Sequence, residues 1–114
     1  MLSNLYGFKG EFEESLIHQI SGLLKVKFEE RSSGYWGDYW KYVDESIEDS
    51  LIKIYYNEDP MFDPSSDPKE NKYFEYEHKD CETLLELYGP VIWVHEVESL
   101  LERIENMKLI KSEL

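Results

Sequence analysis

The hydrophobic pattern changes its period along the chain, and each change predicts a different element. Over residues 11–24 the apolar positions fall on one face of a helix: Phe12, Leu16, Ile17, Ile20, Leu23 and Leu24. From residue 24 to residue 29 apolar and charged residues alternate, which predicts a strand with one solvated face. Residues 91–106 return to helical spacing after Pro90, and Asn106 can end that helix in the left-handed conformation.

Short apolar runs predict the other strands, at residues 3–8, 35–43, 50–56, 83–88 and 107–111. The run at 50–56, SLIKIYY, is apolar on both faces, which predicts a central or well-covered strand. Two turns are compatible with the hairpin that involves the strand at 35–43. One uses residues 32–34, before that strand, and the other is a tighter turn at Gly37-Asp38.

Residues 57–72 interrupt the pattern with three Asp-Pro pairs, which begin at Asp59, Asp63 and Asp67. Proline fixes φ and removes an amide donor, so this stretch predicts a long acidic surface loop. A calcium loop needs a glycine-permitted turn, and this loop has no glycine, so we predict no metal there. Residues 73–81 fit either a short strand or a turn of helix.

The order of elements predicts a single α+β domain over residues 1–114. The tripeptide LYG occurs at 5–7 and 87–89, and each copy precedes an amphipathic helix and a strand. Two β-α-β units flanking a meander predict a ferredoxin-like, mainly antiparallel sheet with extra strands and both helices on one face. The other face is then solvated, oligomeric or a binding surface.

Charge limits the classes of partner. Twenty-five acids against twelve bases give a net charge of −13, which disfavours nucleic-acid binding and favours encounter with a basic protein. The 114 residues contain no run of about 18 apolar residues, and no secretory signal is visible. With a single cysteine no intramolecular disulfide can form, so we expect a cytoplasmic protein.

We find no arrangement of residues that predicts catalysis or a cofactor. His78 and Cys81 have H-x-x-C spacing, but a zinc site would need two distant partners, and a surface histidine beside a buried cysteine is the simpler interpretation. Paired carboxylates are expected by number among 25 acids. Neither a phosphate-binding glycine loop nor a G-x-S-x-G motif occurs. We therefore predict that the protein is not an enzyme.

The stretch RSSGYWGDYWKY at residues 31–42 is the richest in aromatics. Strand alternation divides its rings between two faces, with Trp36, Trp40 and Tyr42 on one and Tyr35, Tyr39 and Val43 on the other. At least one face must pack inside the protein. The stretch is therefore predicted to be a sheet strand that presents some of its rings to a partner.

The sequence FEERSSGYWGDYWKY, the alternating strand after it, the Asp/Pro-rich loop and the ending around LELYG together resemble small acidic bacterial immunity proteins. These proteins accompany polymorphic toxins and contact-dependent growth inhibition systems. The resemblance implies a cytoplasmic inhibitor that binds one cognate toxin, commonly a nuclease with a basic cleft, and blocks its active site. An acidic protein fits that role.

We expect the partner-binding residues on the helix-free sheet face and its adjoining loops: Tyr35, Trp36, Asp38, Tyr39, Asp44, Glu58, Asp59, Asp63 and Asp67. The alternative is a small-ligand or regulatory binding domain, which could form a homodimer through the open sheet face.

Overall fold

The computed structural model describes residues 1–9, 14–34, 37–58 and 73–114. The strands are β1 (Leu2–Phe8), β2 (Glu29–Ser33), β3 (Gly37–Tyr42), β4 (Leu51–Tyr56), β5 (Thr83–Gly89) and β6 (Met107–Glu113). The helices are α1 (Glu14–Leu24) and α2 (Val91–Leu101). The six strands form one sheet in the order β2-β3-β4-β5-β1-β6, and every paired neighbour is antiparallel.

The predicted ferredoxin-like topology is confirmed. Strand β1 lies between β5 and β6, so β5 and β6 run in the same direction and α2 crosses one strand to connect them. Strands β2 to β5 form the predicted meander, and the β2–β3 hairpin extends the sheet at one edge. As predicted, β4 lies inside the sheet, between β3 and β5.

The main core lies between the two helices and one face of the sheet. Alternate residues of β4 and β5 point into it, as Ile52 and Ile54 do, and Ile20 of α1 and Val94 of α2 pack on them. These four side chains are fully buried, and burying each contributes about 1.5–3 kcal/mol. Both helices are therefore on one face, as predicted.

The predicted strand at residues 24–29 is wrong. Helix α1 continues to Leu24, and Lys25 takes the left-handed conformation with φ of 56°. The amide of Val26 then donates to the carbonyl of Ser21 at 3.1 Å, which is the 6→1 bond of a Schellman cap. The alternating apolar residues Leu24, Val26 and Phe28 therefore belong to the end of the helix and the turn after it, and they pack on the core. Strand β2 begins only at Glu29.

Both ends of α2 and the β2–β3 connection also differ from the prediction. Helix α2 ends at Leu101, and the predicted left-handed Asn106, with φ of 66°, comes after a series of turns directly before β6. Pro90 is the N-cap of α2. The β2–β3 connection lies between Ser33 and Gly37, so it matches neither predicted turn.

The helix-free face is partly covered by residues 73–82, which contain a 3-10 turn at Tyr76–His78. The ring centroids of Tyr55 and Phe74 lie 5.7 Å apart, and Tyr55, Cys81 and Leu84 are all buried. Ion pairs fasten the segment to the edge strand, from Lys111 Nζ to Glu75 at 2.7 Å and from Lys108 Nζ to Asp80 at 3.6 Å. A second, smaller core therefore lies on the face that was predicted to be open.

Asn57 holds this segment in place. It was predicted to begin a surface loop, but its side chain is fully buried. Its Nδ2 donates to the carbonyls of Glu75 at 3.3 Å, His78 at 3.0 Å and Cys81 at 2.9 Å, and its Oδ1 accepts from the amide of Glu75 at 2.9 Å. One amide side chain thus satisfies backbone groups along the whole turn.

Candidate partner-binding surface

Two of the predicted binding residues lie at one end of the sheet. Asp38 is exposed near the start of β3, and Glu58 is exposed just after the end of β4. Because β3 and β4 are antiparallel neighbours, these positions are at the same end. A bridge between Glu58 and Tyr73 closes the base of the Asp/Pro connection at this end. Asp59, Asp63 and Asp67 lie outside the described residues, as do Tyr35 and Trp36 of the hairpin connection.

Asp44 lies at the opposite end of the sheet, in the β3–β4 connection. Its carboxylate Oδ1 accepts hydrogen bonds from Ser46 N at 3.0 Å and Ser46 Oγ at 2.6 Å, so it forms a local turn. The amide of Asp44 donates to the Ser50 hydroxyl, and that hydroxyl donates to the Asp44 carbonyl, at 2.9 Å in each case. The structure therefore separates Asp44 from Asp38 and Glu58 and gives it a local structural role.

The predicted division of the aromatic rings is confirmed where the chain is described. Trp40 and Tyr42 pack against the main core on the helix side, whereas Tyr39 lies on the helix-free face opposite Tyr55. The rings of Trp40 and Tyr56 are 6.4 Å apart, and Tyr56 is 36% exposed. Aromatic surface is thus available beside Asp38 on the helix side of the sheet end.

The strands of the helix-free face are more basic than the chain as a whole. Lys41 lies directly opposite Lys53 in the β3–β4 register, and Arg31 is on the adjacent strand, opposite Tyr39. The ammonium of Lys53 is 5.8 Å from the Tyr39 ring centroid, a cation–π distance. Acids largely balance these charges, because Glu29 lies opposite Lys41 and pairs with Arg31 at 2.9 Å, and Glu86 lies opposite Lys53.

The sequence interpretation missed a buried polar network between β1 and α2. Glu98 Oε2 accepts hydrogen bonds from Tyr6 OH and Asn4 Nδ2, both at 2.8 Å, and Ser112 Oγ donates to Asn4 Oδ1 at 2.6 Å. Burial, together with the hydrogen bond to Glu98, raises the pKa of Tyr6 far above its usual value, so the phenol stays protonated and donates. The available signal was Asn4, a polar residue in the inward-facing phase of β1.

A pocket of about 180 Å³ opens beside this network. It is lined by Tyr6, Glu98, Leu101, Glu102, Met107 and Leu109. A larger groove of about 420 Å³ lies between α1 and the β2–β3 hairpin, with Phe28 and Trp40 next to His18, Lys27 and Glu30. The first is the better-defined site, because hydrogen bonds from buried donors hold the Glu98 carboxylate in place.

Cys81 is fully buried, and this burial raises the pKa of its thiol, which is the opposite of what a nucleophilic cysteine requires. Within the described ranges, no group of three or more His, Cys, Asp or Glu side chains could hold a metal ion. Neither of the described helices has the length and apolar character of a membrane span.

No protein-family model matches the chain, and comparisons with curated proteins and with solved structures find no significant match.

Proposed function

We propose that the protein is a cytoplasmic immunity protein that binds a basic toxin, of the nuclease type, and blocks its active site without catalysing a reaction. The surface that meets the toxin is the end of the sheet that carries Asp38 and Glu58. We call this surface the loop end. It is defined by Asp38, Glu58 and the two connections 34–36 and 59–72.

The observation that supports this proposal is that the two connections leave the sheet at the same end, from the neighbouring strands β3 and β4. One connection contains Tyr35 and Trp36, and the other contains Asp59, Asp63 and Asp67. Aromatic anchors surrounded by steering charges are typical of tight inhibitor interfaces. The acids attract the basic cleft, and the rings supply contact area that excludes water.

The charge of the helix-free face narrows the expected epitope. The bases of this face are matched by Glu29 and Glu86, so its strands carry no excess of acid that would attract a basic toxin. We therefore place the contact on the loop end rather than on the strands. Residues 73–82 disfavour the alternative, a homodimer through this face, because they cover part of the surface that the two copies would share. A light-scattering mass measurement checks this point, and we expect a monomer.

Two triple variants with equal charge test which end of the molecule meets the toxin. Asp59→Asn/Asp63→Asn/Asp67→Asn removes three charges at the loop end, and Glu45→Gln/Glu48→Gln/Asp49→Asn removes three at the Asp44 end, where all three side chains are exposed. At low salt we expect the first variant to slow association by about tenfold or more and the second by a few-fold only. Stopped-flow binding to the C-terminal toxin domain of a large secreted protein, sought in the neighbouring genes, measures both rates.

The two variants have the same net charge, so a non-specific field effect would change both rates equally. Equal slowing would contradict the loop-end assignment, while the immunity function is tested separately by co-expression with the toxin. Cells that express the toxin should survive only when the protein is present. Failure to protect them, together with no complex in a pull-down, would overturn the proposed function.

A further inference from the structure

The small pocket beside α2 combines two carboxylates with apolar walls. Glu98 and Glu102 supply the charge, and Leu101, Met107 and Leu109 supply apolar surface. Its volume of about 180 Å³ is below the ~300–1,000 Å³ that pockets for drug-sized ligands occupy. A pocket of this size takes one side chain or one small molecule.

Hydrogen bonds hold the Glu98 carboxylate in one orientation at the pocket. The side chain of Glu98 is 27% exposed, and its two donors, Asn4 and Tyr6, are almost fully buried. Both donors bind Oε2, while Oε1 lies 3.7 Å from Nδ1 of the exposed His95. The two donors hold the carboxylate in a partly dry setting, where its attraction for a cation is stronger than in bulk water.

We propose that this pocket receives one arginine or lysine side chain of the protein partner. The head group would pair with Glu98 and Glu102, and the methylene stem would lie along Leu101, Met107 and Leu109. Charge complementarity and size select this occupant, because an anion would be repelled and a neutral side chain would lack the charge attraction to the two carboxylates. This inference rests on the proposed function for the identity of the partner, although not for the chemistry of the pocket.

The location agrees with the loop end. Met107 pairs with Phe8 in the sheet, and Phe8 pairs with Thr83, which lies opposite Tyr56 at the end of β4. The pocket is therefore at the same end of the sheet as Glu58, three strand positions away. At about 4.8 Å per strand this is roughly 14 Å, well within one interface of standard size.

The experiment uses the full chain and a small probe, N-acetyl-arginine amide, with N-acetyl-citrulline amide as its uncharged isostere. In a ¹H–¹⁵N NMR titration we expect the amides of Leu101, Glu102, Met107 and Leu109 to shift saturably with the arginine probe. The dissociation constant should be on the order of millimolar. The citrulline probe should bind about tenfold more weakly, because it lacks the charge.

Glu102→Gln and Glu105→Gln form the matched pair of variants. Both positions are exposed and both changes remove one charge, but only Glu102 lines the pocket. We expect Glu102→Gln to weaken arginine binding several-fold and Glu105→Gln to leave it unchanged. Equal binding of the two probes, or equal effects of the two variants, would overturn the proposal. Since no toxin is used, this failure is distinguishable from a failure of cell protection, which would overturn the immunity function instead.

Discussion

Asn57→Ala should lower the free energy of unfolding by about 3–5 kcal/mol, the largest effect that we expect from a single polar side chain. The side chain is fully buried and bonds to backbone groups of Glu75, His78 and Cys81. Alanine removes the Asn57 partner of the Glu75 amide and the Cys81 carbonyl, and each buried group that is left unsatisfied costs about 1–3 kcal/mol. The carbonyls of Glu75 and His78 keep their hydrogen bonds from the amides of His78 and Cys81. Urea denaturation followed by circular dichroism measures the loss.

The only cysteine provides a local readout of the same change. Cys81 is buried against Gly7 of β1, and its backbone carbonyl accepts a hydrogen bond from Asn57 Nδ2. Release of residues 73–82 should expose the thiol, so that DTNB labels the variant about two orders of magnitude faster under native conditions. Asn57→Asp is the isosteric control. It keeps the oxygen that accepts from the Glu75 amide but replaces Nδ2 with a second oxygen, which faces the three carbonyls. Native-like stability of Asn57→Asp would show that donation from Nδ2 is unimportant.

The Asn57 contacts also have a consequence for binding. The Phe74 amide donates to the Asn57 carbonyl at 2.8 Å, next to the bridge between Glu58 and Tyr73. These contacts fix both ends of the Asp/Pro connection. Loss of the Asn57 side chain should therefore weaken toxin binding, because the ends of the Asp/Pro connection would no longer be held in place. The aspartates of the connection themselves would be unchanged.

The sequence was sufficient to predict the topology because the period of the apolar residues is a local property. Apolar residues in β4, β5, α1 and α2 determine which faces of these elements are buried. The connections between the elements then allow only a few orders of the strands in the sheet. The strand predicted at residues 24–29 was wrong because three alternating apolar residues also fit a capped helix end. The left-handed conformation of Lys25 distinguishes the helix end from a strand. Lysine is not a residue type that favours this conformation, so the sequence did not indicate it.

The pocket and the cover of the helix-free face depend on contacts between distant parts of the chain. Asn4 and Glu98 are 94 positions apart, and Asn57 and Cys81 are 24 apart. Glu98 is one of 25 acids, so its residue type alone did not distinguish it. A polar residue in the buried phase of a strand, as Asn4 is in β1, was the one local indication that a polar network lay inside.

Gly7→Ala should destabilise the protein by about 1–3 kcal/mol, because residues 73–82 can lie on the sheet only where β1 has no side chain. A Cβ at position 7 would be 2.7 Å from Cys81 Sγ and 2.8 Å from Ile110 Cδ1, both well inside van der Waals contact. The methyl group would force the cover away from the helix-free face. The change in unfolding free energy is measured by thermal or urea denaturation.

Gly22→Ala is the matched control, since a Cβ there would meet no heavy atom within 4 Å outside its chain neighbours and its own helix backbone. Gly22 is inside α1, so alanine there should stabilise the helix by about 0.5–1 kcal/mol. The two substitutions should therefore have opposite signs. A Gly7→Ala/Cys81→Ala double variant should recover part of the loss, with a coupling of about 0.5–3 kcal/mol, because the shortest contact is removed. Additive effects would mean that the clash with Cys81 does not set the cost, and the cover would have to be held at another point.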